Sequence, residues 1–247
     1  TNYDVRFQCE VHYGNEKKTL EPQFSDNGKE ATFNVRLIAN RKYTFVVWAD
    51  LVEEDDREND LHYNTANGLT NITLNDTWVA MDETRDAFTC SEVREFTRNA
   101  NINLELKRPF AKLRVITTDM KELMGVMPTS VEVEYTTNHF NTYNALTKTP
   151  SGELRKVHVQ RAIPAYDYKD KDAEKTLFTD YFFATETQKV VNFNMNVYDQ
   201  NNELIDETKS FNTPIPAKRN YVTTIKGNIL TYADDFTVEI KPDFAGE

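Results

Sequence analysis

The sequence predicts an all-β protein, two antiparallel β-sandwich domains in tandem, and three observations carry the prediction. Short segments along the whole chain alternate apolar and polar residues with a period of two, the repeat of a pleated strand with one buried face. Strands do not alternate with long helical patterns, as a parallel α/β sheet requires. The alternation also changes parity once, at Arg108-Pro109, and splits the strands into two groups of about seven at sandwich spacing.

The first strand is Asp4–Tyr13. Val5, Phe7, Cys9, Val11 and Tyr13 form its inward set, and Arg6, Gln8, Glu10 and His12 its outward set. Ala31–Ile38 repeats the pattern with Ala31, Phe33, Val35 and Leu37. Tyr43–Ala49 is apolar on both parities, as a central strand covered on both faces must be. Turn signals lie at Ser25-Asp26-Asn27-Gly28 and Ala39-Asn40-Arg41-Lys42. The acidic excursion Val52–Leu61 lacks the spacing and central glycine of a calcium-binding loop and reads as a solvated loop. Ile72 with Leu74, Trp78–Met81 and Ala87–Phe96 add short strands.

Ala100–Lys107 reads as a strand with Ile102, Leu104 and Leu106 inward. Beyond Arg108-Pro109 the inward set becomes Ala111, Leu113 and Val115. With a side-chain period of two, that flip sends the buried face to the other side of the sheet. Proline cannot donate to a ladder, so a break belongs there. The expected domains are therefore 1–107 and 108–247; the alternative is one bulged strand in a single large sandwich.

In the second half a single helical turn is expected at Asp119–Met124, with Gly125 as its C-cap. Strands follow at Val131–Tyr135, Leu154–Val159, Leu177–Ala184 and Val190–Tyr198, the last with Val191, Phe193, Met195 and Val197 inward. A polar turn at Asp199–Asn202 leads to Glu203–Phe211. Thr213-Pro214-Ile215-Pro216 reads as a stiff approach to Tyr221–Leu230, and Phe236–Ile240 is the last strand.

Composition narrows the function. At 39% hydrophobic and 12% aromatic residues the chain can fill a core and is not a disordered segment. Its net charge of −11 repels phosphate backbones and anionic lipid surfaces, so neither nucleic acid nor a membrane surface is an expected partner. Seven glycines leave little for phosphate-cradling loops, and neither GxGxxG nor GxxxxGK[ST] occurs. No apolar run approaches 18 residues, and the opening TNYDVRFQ begins directly in a strand pattern.

Reactive chemistry is sparse. His12, His62, His139 and His158 are scattered, and HExxH and GxSxG are absent. No catalytic, cofactor or metal residue is assigned, and the chain is not expected to be an enzyme. Cys9 and Cys90 both fall on apolar parities. A disulfide in an oxidising compartment and two buried free thiols are both open, and two cysteines alone make no metal site. Asn71-Ile72-Thr73 and Asn75-Asp76-Thr77 fit a glycosylation pattern that is common by chance. Tyr166, Tyr168 and Trp78 are the aromatics placed to stack on a sugar, whereas Trp48 sits in an apolar strand and belongs to a core.

Several blocks resemble the fimbrillin-like surface proteins of Bacteroidota: YTFVVWADLV, DLHYNTANGLTNITLND, DETRDAFTC, MPTSVEVEY, and most strongly LKRPFAKLRVITTD (Leu106–Asp119) and RNYVTTIKGNILT (Arg219–Thr231). The resemblance runs from about Tyr43 to Ile240 and includes no catalytic signature. It implies transthyretin-like sandwiches and a fimbrial (pilus) structural or adhesion subunit. It further implies export to the outer membrane surface through a lipidated cysteine upstream of Thr1. Partners would be other pilin subunits, joined by strand exchange, with host or bacterial surface glycans or proteins as adhesion ligands. The alternative is a non-polymerising surface lipoprotein that binds carbohydrate. Cys9 and Cys90 lie outside the family pattern. The edges relevant to strand exchange are Val5–Tyr13 and Phe236–Ile240, the latter as a resident strand or a donor.

Overall fold

The structure is a computed structural model that describes residues 2–75, 80–123, 125–154, 159–162, 174–205, 209–231 and 235–244. In chain order its strands are β1 (Tyr3–Tyr13), β2 (Glu16–Leu20), β3 (Pro22–Phe24), β4 (Ala31–Phe33), β5 (Lys42–Glu53), β6 (Tyr63–Asn64), β7 (Ile72–Leu74), β8 (Ala87–Glu95) and β9 (Phe110–Thr117). There follow β10 (Pro128–Tyr135), β11 (Phe140–Asn144), β12 (Thr149–Leu154), β13 (Val159–Ala162), β14 (Lys175–Phe183), β15 (Lys189–Asp199), β16 (Lys209–Ala217), β17 (Tyr221–Gly227) and β18 (Phe236–Pro242). Helix among the described residues is limited to 3-10 turns at Glu83–Arg85 and Met120–Leu123.

The chain forms two compact units. The first comprises Thr1–Trp78, Glu83–Pro109 and Thr142–Ser151; the second comprises Val79–Asp82, Phe110–Asn141 and Gly152–Glu247. The change of unit at Pro109/Phe110 falls where the parity flips, but each unit also takes a segment from the other half of the sequence.

The first unit is built on the sheet β2-β1-β5-β8. Its central strand β5 is buried on both faces, as its two apolar parities require. One face carries Cys9, Val11, Leu20, Tyr43, Phe45, Val47 and Cys90. Phe33, Val35, Leu37, Phe96, Leu104 and Leu106 pack against them. On the other face Trp48 is fully buried and meets the ring of Tyr63 at 5.2 Å; Tyr63 belongs to a second sheet, β12-β11-β7-β6. The Trp48 expected in a core is in one.

Two expected strands are shorter than their alternation suggested. Ala31–Ile38 is a strand only over β4, and Ala100–Lys107 contributes a single bridge, Thr89 to Lys107. Both segments keep their alternating burial: Val35, Leu37, Leu104 and Leu106 lie half-buried on the core while their neighbours are exposed. Periodicity reports which side chains face the core. It does not report whether another strand lies alongside to complete a ladder.

The second unit is a sandwich of β13-β10-β15-β16 on β14-β9-β17-β18. Leu113, Val115, Val131, Tyr135, Phe178, Phe193, Met195 and Ile225 are among its buried core. Val191, Phe193, Met195 and Val197 all point in, as the alternation of β15 predicts. One ladder breaks the antiparallel rule: β9 and β17 run parallel. The expected proline-stiffened approach is itself strand β16, and β16 is an edge strand, where proline is tolerated in a sheet. The last strand, β18, is resident: it pairs with β17 from Tyr221–Pro242 to Gly227–Phe236.

Candidate functional site

The site begins with a hairpin. Gly14-Asn15 joins β1 to β2 in a two-residue turn, and Gly14 takes a φ of 58° that a side chain would resist. The turn closes on the pair Tyr13–Glu16, so the odd residues of β1 direct their N–H and C=O groups toward β2. β2, however, pairs only with Cys9–Tyr13. After Leu20 the chain leaves the sheet at Glu21-Pro22 and enters β3, which pairs with β4 instead. On its other side β1 pairs with β5 all the way from Tyr3 to His12.

Among the described residues the consequence is a lane about one strand wide, roughly 4.8 Å, beside Val5 and Phe7 with no strand in it. Val5 shows the direction of the backbone there: its carbonyl accepts the Arg57 Nε–H at 3.1 Å. The lane opens into a cleft of about 700 Å³. Phe7, Leu20, Pro22 and Phe24 form its apolar wall. Gln8, Glu10, Thr65 and Gly68 form its polar wall. Arg57 closes one end, its guanidinium 4.5 Å above the Phe24 ring.

The polar wall is a buried ionic lattice, a correction to the reading of β1 as solvent-facing on its even residues. Arg6 is 3% exposed and binds Asp50 through both Nε (2.9 Å) and Nη2 (2.7 Å), and Asp60 through Nη1 (2.8 Å). Asp60 also accepts from the Thr65 N–H and hydroxyl. The acidic excursion read as a solvated loop therefore supplies a buried-side ligand to β1. Burial lifts the Asp50 carboxyl above its ordinary value against the pull of Arg6. Burial alone would also raise the Glu10 carboxyl. Hydrogen bonds from Leu69 N–H, Lys17 and His12 outweigh it and hold Glu10 below the usual range. Alternation in β1 could not show this, because the partners come from residues some 50 positions away, as in Arg6 with Asp60.

The remaining sequence candidates do not converge. His12 meets Glu10 and His62 meets Thr84, both at 2.8 Å. His139 is fully buried in the second unit, where its Nε2 lies 3.2 Å from Asp180 Oδ2; the Tyr135 hydroxyl donates to the same oxygen at 2.9 Å. With all three side chains sealed from solvent, the trio serves as a core hydrogen-bond network. Cys9 and Cys90 both lie opposite Val47, on either side of β5. That puts them two strand spacings, about 10 Å, apart, beyond the roughly 7 Å reach of a disulfide. Both are free thiols, pushed by burial up to about 12 and about 11. No group of three His, Cys, Asp or Glu side chains among the described residues is placed to hold a metal ion. No helix among them is long and apolar enough to cross a membrane. Trp78, Tyr166, Tyr168 and His158 lie outside the described residues.

The architecture has counterparts among solved structures. One is a candidate cell adhesion protein from Bacteroides uniformis, 8% identical, with a TM-score of 0.53 over 98% of this chain and 92% of the other. A candidate polysaccharide-binding protein (DUF1812) from Bacteroides thetaiotaomicron is 10% identical, with a TM-score of 0.54 over 98% and 90%. A candidate cell adhesion protein from Bacteroides eggerthii is 10% identical, with a TM-score of 0.52 over 96% and 89%. Identities this low speak for a shared fold alone. No curated protein matches the chain. A family model does, across residues 1–247, and the chain accordingly belongs to that family, a family of unknown function (DUF6562).

Proposed function

We propose that this protein is an exported adhesion subunit of the bacterial cell surface, of fimbrial type, that joins its neighbours by donated strands. The observation that carries the reading is the lane beside Val5 and Phe7 that no described strand fills. An incoming strand there would pair with the outward N–H and C=O groups of β1, displacing Arg57 from the Val5 carbonyl, and set alternate side chains against Phe7, Leu20 and Phe24. The fold likeness to proteins described as candidate cell adhesion proteins supports the surface role. In this reading the work is done by backbone edges, and the protein is not an enzyme. Anchorage is through a lipid upstream of Thr1, at the outer membrane, and the two domains meet at Arg108-Pro109.

The test uses cells that produce the protein. Their surface extract, run on a gel without boiling, gives a ladder of stable oligomers. Val5→Pro removes the ladder, because it deletes a lane-facing N–H while sparing the bonds to β5. The purified variant still unfolds cooperatively. A single monomer band from the unchanged protein, or a ladder indifferent to Val5→Pro, would sink the reading.

A further inference from the structure

A second groove lies at the far end of the same hairpin, away from the lane. We propose that it binds a polyanionic polysaccharide, one with carboxylate or sulfate groups along its chain. This goes beyond strand donation and does not rest on it. The groove has a volume of about 250 Å³ between the β1–β2 hairpin and residues 35–38. Lys18, Arg36 and Arg41 line it, with Tyr13 and Tyr43 between them.

The charge is what singles it out. In a chain of net charge −11, Arg6, Arg57 and Arg108, buried or half-buried, are each paired with an aspartate. Among the described residues Lys18, Arg36 and Arg41 have no carboxylate at ion-pair distance. Lys17 beside them is already taken by Glu10 at 3.1 Å. Glu16 is the one carboxylate in the lining, set against these cations. All three unpaired cations are exposed.

The groove is also held in shape. The Arg41 guanidinium lies 5.1 Å over the Tyr13 ring, and Tyr13 packs 5.3 Å from Tyr43. The Tyr43 hydroxyl accepts from Ile38 N–H at 3.1 Å, and the Asn40 N–H is tied to the Phe96 carbonyl at 2.9 Å. Arg41 therefore rests one face on an aromatic ring and keeps its fork of donors free for an oxyanion. Tyr13, 40% exposed, offers a ring edge to a sugar.

Two features choose a polysaccharide over other polyanions. The groove runs along the edge strand β2, whose Lys17 and Lys18 oppose the addition of a peptide strand. Duplex DNA carries a charge about every 1.7 Å and would meet repulsion from the acidic surface beyond the patch. A polysaccharide charged once per sugar spreads its charge more thinly.

The experiment measures binding of the purified full chain to polygalacturonate and to dextran sulfate at low salt, with neutral dextran, poly-glutamate and single-stranded DNA alongside. Saturable binding to one or both anionic polysaccharides is expected, and which of the two binds assigns carboxylate or sulfate. Combining Lys18→Gln, Arg36→Gln and Arg41→Gln should weaken binding about tenfold or more and flatten its dependence on salt. The control combination Lys29→Gln, Lys121→Gln and Lys189→Gln makes the same charge change at exposed sites elsewhere and should leave affinity within about twofold. Equal binding to neutral dextran, tighter binding to poly-glutamate or DNA, an equal loss in the control, or no binding to either polysaccharide would overturn the proposal.

Discussion

Cys9 and Cys90 show how much a single register can settle at the residue scale. Each faces the same core from a different neighbour of β5, too far apart to bridge, and burial keeps both protonated with values of about 12 and about 11. Since the thiolate is the reactive form, both thiols of the native protein should stay silent toward a disulfide reagent at pH 8. Both should react once denaturant is added; one rapid equivalent before unfolding would contradict this register. Glu10 makes a different prediction. Its folded value lies below the ordinary 4.5. The stability it adds is therefore complete above that pH and is lost as pH falls through the folded value. Glu10→Gln should cost about 1.5–3 kcal/mol at pH 7, the scale of a hydrogen bond to a charged group. The two proteins should then converge in acid, as read from urea melts at pH 7, 4 and 3.

At the scale of elements, the second unit depends on how closely β18 approaches β17. A Cβ on Gly227 would lie 2.2 Å from the Asp235 carbonyl oxygen and 2.5 Å from the Phe236 Cα. These are backbone atoms, which cannot rotate aside. Gly227→Ala should thus lift the start of β18 from its ladder and expose Phe236 and Val238, which pack on the core. A loss of about 2–3 kcal/mol, the range for overpacking, would appear as a fall in Tm, with faster hydrogen exchange confined to β17 and β18. Alternation in the sequence marks Phe236, Val238 and Ile240 as a strand but holds no information on that distance. The same limit explains residues 34–38 and 104–106, whose inward side chains were legible while their missing ladders were not; Ile102, read as inward, is exposed.

For the whole molecule, the parity flip at Arg108-Pro109 was readable, and the reciprocal transfer of segments was not. Thr142–Ser151 belongs to the first unit. There Tyr143 pairs with Ile72, Ala145 donates its N–H to the Leu69 carbonyl, and both side chains are fully buried. A fragment of residues 1–109 lacks this segment and leaves an apolar face of the first unit bare. It should show no cooperative thermal transition, whereas the full chain does; calorimetry of both decides it. A fragment as stable as the intact chain would mean that Thr142–Ser151 adds nothing to the first unit.

The sequence by itself determined the fold class, the two-sided burial of β5, and the inward sets of β9 and β15. All of these follow from side-chain period, which is a local property of the chain. Only the tertiary structure decided that β2 stops short of Val5, that Arg6 and Glu10 are buried in an ionic lattice, that β9 and β17 run parallel, and that Cys9 and Cys90 stand two strands apart. Each of these depends on which distant segment lies alongside, and an alternating pattern pairs equally well with many neighbours until packing and register select one.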